Sequence, residues 1–226
     1  MAAAFNVSVM SYNLIGFRLL KSGTMALYTL FLMTGGMVLP YIWGILFLDE
    51  PFSVLRTVGL IFIITGVIVS NFESKKADKK QILMCIAVFV INGISSIISK
   101  EHQTELNYIC VSPTEFVILG GLFKFVFAGV LRLFAKDTEK QQKKSAVPAL
   151  LAIGASAAVS GVSYFMQLLG ASQLPATVLY PFITGGTIVF SAIAGIVVFK
   201  EKVSAKVLLS IALCFIGTLM FLYTPW

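Results

Sequence analysis

Charge is scarce in this chain: Asp, Glu, Lys and Arg make up 12% of it, against roughly 25% in an ordinary soluble domain. Histidine occurs once, at His102, and the three cysteines, Cys85, Cys110 and Cys214, form no Cys-x-x-Cys pair. A metal site needs several converging ligands, so His102, with Glu101 and Glu105 on the loop side of a helix end, reads as part of a solvated loop. Isolated cysteines read as small buried hydrophobes, which sets aside a disulfide framework. No His/Asp/Glu cluster, Ser-His pairing or phosphate-cradling glycine loop is present. No enzyme activity, cofactor or metal is therefore expected. The N-terminus lacks the basic stretch of a signal peptide, and Asn6, Ser8, Ser11 and Asn13 interrupt its apolar run.

What the chain has in abundance is apolar sequence, with 58% of residues hydrophobic. Eight apolar segments are predicted, at roughly 2–20, 25–48, 53–72, 81–99, 112–135, 146–169, 176–199 and 204–224, several of them about the 20 residues that span a bilayer as a helix. The fold class is therefore an all-α, multi-pass membrane bundle. The formal charge of +7 sits mainly in loops beside these spans, which points to membrane orientation and away from nucleic acid. Fourteen of the seventeen lysines and arginines fall on one side, including Arg18, Lys21 and the lysines at 75, 76, 79 and 80. Only Arg56 and Lys100 fall on the other, and Lys124 lies inside a span. The positive-inside rule puts the rich side in the cytoplasm and both termini outside.

One stretch occurs twice. A shift of 151 positions lays Gly35 on Gly186, Gly44 on Gly195, Glu50 on Glu201, Ser53 on Ser204 and Gly66 on Gly217. Each copy is a small-residue-rich helix, a tight acidic turn and a second apolar helix. Internal repeats of this kind set the architecture. Residues 1–73 read as an incomplete first repeat, 74–80 as a basic linker and 81–226 as a complete second repeat, with three helices in the first and five in the second. An odd number of helices per complete repeat would invert successive copies, the arrangement common in secondary transporters. Ser53 and Ser204 are placed to cap the helix after each turn, while Pro40 and Pro181 fall inside helices, where they are expected to kink them.

The acidic-turn stretches LFLDEPFSVLRTVGLIFIITGVIVS and VVFKEKVSAKVLLSIALCFIGTLMF resemble the closing helices of each repeat in the drug/metabolite transporter superfamily, EamA type. LYPFITGGTIVFSAIAGIVVFKEKVS also resembles the third helix of the small multidrug resistance proteins. The resemblance covers Met1 to Tyr223 and implies a secondary transporter of a small metabolite in a cell membrane, the bacterial plasma membrane being the expected one. It implies ten helices, so two are expected to be lacking before the first. It also implies cytoplasmic termini, opposite to the charge asymmetry. In the small multidrug resistance proteins an acidic residue stands eight positions before a lysine; here Asn92 holds that place before Lys100. Proton coupling through such a carboxylate is not carried over. An inactive or accessory membrane chain, completed by a homodimer or partner subunit, is the alternative.

Candidate substrate contacts follow from polar groups inside spans, which must find partners or line a cavity. Asn13, Asn92, Tyr164 and Tyr180 are taken as cavity residues, Asn13 and Tyr164 being related by the shift; interhelical bonding is the competing role for each. Gln167 is a weaker candidate. Lys124 is expected to face the bundle interior or a wet cavity and meet an anionic or carbonyl-bearing substrate, unless it snorkels towards the interface. Glu50 and Glu201, at the turns, are expected to serve the N-terminus of the following helix and to act as gates. Gly35, Gly36, Gly44, Gly154, Ala158, Gly161 and Gly195 are expected to permit close helix approach. Tyr28, Tyr41 and Trp43 read as interfacial anchors.

Overall fold

A computed structural model describes residues 1–21, 25–71, 78–104, 111–134, 146–197 and 205–222. These residues form eight α-helices: α1 (Ala2–Lys21), α2 (Met25–Phe47), α3 (Val54–Asn71), α4 (Lys79–Thr104), α5 (Pro113–Phe134), α6 (Ala146–Gln173), α7 (Ala176–Val197) and α8 (Ala205–Leu222). Each predicted segment corresponds to one helix. The largest differences are at the C-termini of α4 and α6, which run a turn or more further than apolarity alone suggests. Four helices contain stretches long and apolar enough to cross a membrane: Leu27–Phe47, Lys79–Thr104, Pro113–Val130 and Leu150–Gln173. Pro40 and Pro181 do lie inside α2 and α7.

Small residues decide which helices meet. In α2, a Cβ on Gly35 would run into the backbone of Phe89, and one on Gly36 would lie 2.5 Å from the Asn92 amide nitrogen. Gly93 of α4 receives Leu39 in the same way. That seam joins α2 to α4, as expected for Gly35 and Gly36. A second seam joins α3 to α8, the most extensive pairing in the bundle. There a Cβ on Gly217 would lie 2.6 Å from the carbonyl oxygen of Gly59, and Ser210 donates to the carbonyl of Gly66 at 2.8 Å. At its centre the Cys214 thiol faces the Ile63 carbonyl at 3.9 Å. Met37, Tyr41, Leu60, Ile63, Val67, Val178, Cys214 and Phe221 form the buried core between α2, α3, α7 and α8.

The turn after α2 is built from its own residues. Glu50 and Leu48 both donate their amides to the Gly44 carbonyl, at 3.1 and 3.2 Å. Asp49 between them adopts φ 52°, a left-handed conformation that aspartate tolerates better than most side chains. Ser53 then caps α3, its hydroxyl accepting the Arg56 amide at 3.4 Å, as its position predicts. Gly44 serves a different purpose from helix approach: a Cβ there would lie 2.6 Å from a carboxylate oxygen of Glu50. The missing side chain makes room for that carboxylate.

Candidate functional site

A polar groove of about 220 Å³ runs between α1, α2, α4, α6 and α7. Its lining is Tyr12, Leu32, Met33, Gly36, Asn92, Ser96, Gln167, Tyr180, Ile183, Thr184 and Thr187. The floor is a hydrogen-bonded cluster. Tyr180, buried on the first turns of α7, donates its hydroxyl to the Ser96 carbonyl at 2.5 Å. The Asn92 amide donates to the Leu32 carbonyl at 2.7 Å, tying α4 to α2 across Gly36. Ser96 donates to the Asn92 carbonyl at 3.2 Å, and Thr187 to the Ile183 carbonyl at 2.7 Å. A second cleft, between α1 and α5, is lined almost wholly by apolar side chains, with Asn6 as its one polar residue.

Beyond the floor, the end of the bundle poor in lysine is held by charged side chains that bond to backbone. Glu50 accepts the amides of Ala176 and Thr177 at 2.5 and 2.8 Å. It therefore caps α7, and the expectation that it serves the helix following its own turn is corrected. A carboxylate at a helix N-terminus meets both the free amides and the positive end of the dipole. Lys100, which is buried, donates to the carbonyls of Ala171 and Leu174 at 2.8 and 2.6 Å, satisfying carbonyls at the C-terminal end of α6. The α6–α7 corner is thus held on one side by an anion and on the other by a cation. Arg56, 1% exposed, reaches the Thr177 hydroxyl at 3.4 Å. The Trp43 indole donates to Glu101 at 2.5 Å, and Tyr41 bonds Thr57 at 2.9 Å. Trp43 and Tyr41 thus bond to other side chains, and Tyr41 is buried.

Of the residues singled out from sequence, the groove brings together Asn92, Tyr180 and Gln167. Tyr164 lies beside it, its hydroxyl 3.4 Å from Ser99 and its ring stacked on Phe5 with centroids 5.1 Å apart. Asn13 does not line the groove; its neighbour Tyr12 does. One helical position is a rotation of 100°, since 3.6 residues make a turn. Lys124 does not line the groove; its side chain is exposed on α5. His102 is also corrected, because it lies buried in the last turn of α4 with its ring 4.5 Å from that of Phe116. Glu201 and Ser204 lie outside the described residues, as do the side-chain surroundings of Gly195. Ser96, Thr184 and Thr187 were not anticipated. Their signal was the helical spacing that puts Ser96 four residues after Asn92, and Thr184 four residues after Tyr180, on the same faces.

An all-helical apolar bundle with such a groove has the build of a multi-pass membrane protein of transporter type. The family model of the EamA-like transporter family matches residues 79–223, more than half of the chain. The chain belongs to that family. It also superposes on a crystal structure of another protein with a TM-score of 0.77, at 16% identity, over 97% of this chain and 76% of that one. That likeness shows the fold. No curated protein sequence matches the chain.

Proposed function

We propose that the chain is a secondary transporter moving a small metabolite by alternating access, with the groove as its binding site. Asn92, Ser96, Tyr180 and Thr187 form the floor, and Tyr12, Gln167 and Thr184 form the walls. The observation that carries this reading is the contrast along the groove: a polar, solvent-sized space ends at the lysine-poor side in a compact set of bonds through Glu50, Lys100 and Tyr180. That is the shape of a carrier closed at one end. Opening this end requires the α6–α7 corner to leave Glu50 and Lys100. Proteins change state through such discrete rearrangements of packed elements. With the lysine-rich end in the cytoplasm, the state described is the one open inward. The bacterial plasma membrane is the proposed location.

Residues 1–73 and 81–226 act as inverted halves in this reading. Support comes from the α3–α8 seam. Ile63 meets Cys214, its own counterpart under the 151-residue shift, and Gly59 meets Gly217 while Gly66 meets Ser210. Such reciprocal contacts are what a pseudo-two-fold axis through the seam produces. The alternative, an accessory chain requiring a homodimer or partner subunit, draws on the open space beside Gly154 and Gly161 of α6.

Expression in a transporter-deficient host, with metabolite fluxes compared between the chain and its Tyr180→Ala variant, separates the readings. The proposal expects at least one small metabolite whose flux rises with the chain and falls back with the variant. Membrane-inserted chain that alters no flux would contradict it and favour the accessory reading.

A further inference from the structure

The groove's hydrogen-bond accounting restricts what it binds. Among the described residues that line it, none is charged. The charges closest to its floor already hold partners: Lys100 two carbonyls, Glu50 two amides, Glu101 the Trp43 indole. Lys124 is exposed on α5. An ion brought into the groove would lose hydration without meeting a counter-charge, which is unfavourable. The hydroxyl donors of the floor are spent too. Tyr180, Ser96 and Thr187 each direct their single hydroxyl proton to a backbone carbonyl, and one of the two Asn92 amide N–H groups goes to Leu32; the wall residues Tyr12, Thr184 and Gln167 can donate as well as accept. What the floor residues mainly present is oxygen: Oδ1 of Asn92, Oη of Tyr180, Oγ of Ser96 and Oγ1 of Thr187, all acceptors, beside the second amide N–H of Asn92. The lining also includes the apolar side chains of Leu32, Met33 and Ile183. At about 220 Å³, the space is smaller than the roughly 300–1,000 Å³ of drug-sized pockets.

From this, and resting on the transport reading above, we infer that the substrate is a small uncharged molecule that donates hydrogen bonds from a hydroxyl or amide and carries an apolar part. The acceptor floor takes its N–H or O–H, and the Leu32–Met33–Ile183 wall takes the apolar portion. Anions find no cationic side chain, and cations no carboxylate, among the described residues of the lining.

The test uses the purified full chain and size-matched sets built on phenylacetic, nicotinic and hexanoic skeletons. Each set comprises the primary amide, the carboxylate, the corresponding amine and the methyl ester. Thermal stabilisation in detergent and uptake into proteoliposomes are both read. The amide should lead its set by at least about tenfold in uptake, because a site with buried polar groups rejects a ligand that leaves them unpaired. Equal performance of the ester, which lacks the donor, would overturn the inference. Uptake led by carboxylates or amines would overturn it while leaving the transporter reading intact. Neither stabilisation nor uptake by any member would overturn both. The near-isosteric Gln167→Glu substitution adds a carboxylate to the wall and should move preference from the amide to the amine by about tenfold; an unchanged order would contradict the inference.

Discussion

The α3–α8 seam and the outer faces of α5 and α6 contain the same small residue in opposite surroundings. At the seam, Gly59 and Gly217 bring backbones together, and a Cβ on Gly66 would lie 2.5 Å from the Cys214 sulfur. Around Gly121 and Gly129 of α5, and Gly154 and Gly161 of α6, a Cβ would meet nothing within 4 Å. In a membrane, lipid is as apolar as leucine, so helices associate through close packing and interhelical bonds. A glycine contributes to that only where another helix stands opposite it. The seam therefore holds the bundle together, whereas α5 and α6 expose Phe125, Leu133, Leu150, Leu151 and Ile153. Gly154 and Gly161, expected from sequence to permit helix approach, approach nothing among the described residues.

The sharpest way to break the comparison is Gly217→Leu. The new side chain would meet the Gly59 carbonyl and Ile63, neither able to yield, and overpacking should cost about 3 kcal/mol or more. Loss of folded protein in a thermal or detergent unfolding assay checks it; an unchanged transition would show that the seam is loose. Lys100→Met comes next, leaving the Ala171 and Leu174 carbonyls without their donor. Destabilisation of about 1–3 kcal/mol is expected, measured in the same assay. Glu50→Gln keeps the shape, removes the charge at the α7 N-terminus and replaces one of the two accepting oxygens by an NH2 that cannot accept a backbone amide. About 1–2 kcal/mol should be lost, together with increased access to the groove from the lysine-poor end. Smallest is Gly154→Ala, which should change stability by no more than about 1 kcal/mol and in the stabilising direction, since alanine suits a helix interior better. A large loss there would show that the α6 face is packed after all.

The helices were legible because a span must be apolar over its whole length, so composition alone marks all eight. Ser53 was legible as a cap because its partner, Arg56, is three residues away. Glu50 was misread for the same reason in reverse. Its partners are Ala176 and Thr177, and a local rule assigns a carboxylate to the helix nearest in sequence. Lys100 was assigned to a loop because charge marks span ends, yet carbonyls of α6 let α4 bury it. Orientation around a helix was the other gap. When nearly every residue of a helix is apolar, periodicity does not show which face turns inward. The sequence points to Asn13 where Tyr12 lines the groove, and to Lys124, which is exposed on α5 outside that lining.

The central claim, a groove open at one end and closed at the other by the Glu50–Lys100 corner, is tested most directly at its floor. In proteoliposomes of known orientation, Ser96→Cys is exposed to a membrane-impermeant thiol reagent from each side in turn, with the unsubstituted chain giving the background from its own cysteines. Labelling from the lysine-rich side alone, extended to both sides when Glu50→Gln is added, is the predicted result. Equal labelling of Ser96→Cys from both sides with Glu50 intact would contradict the account.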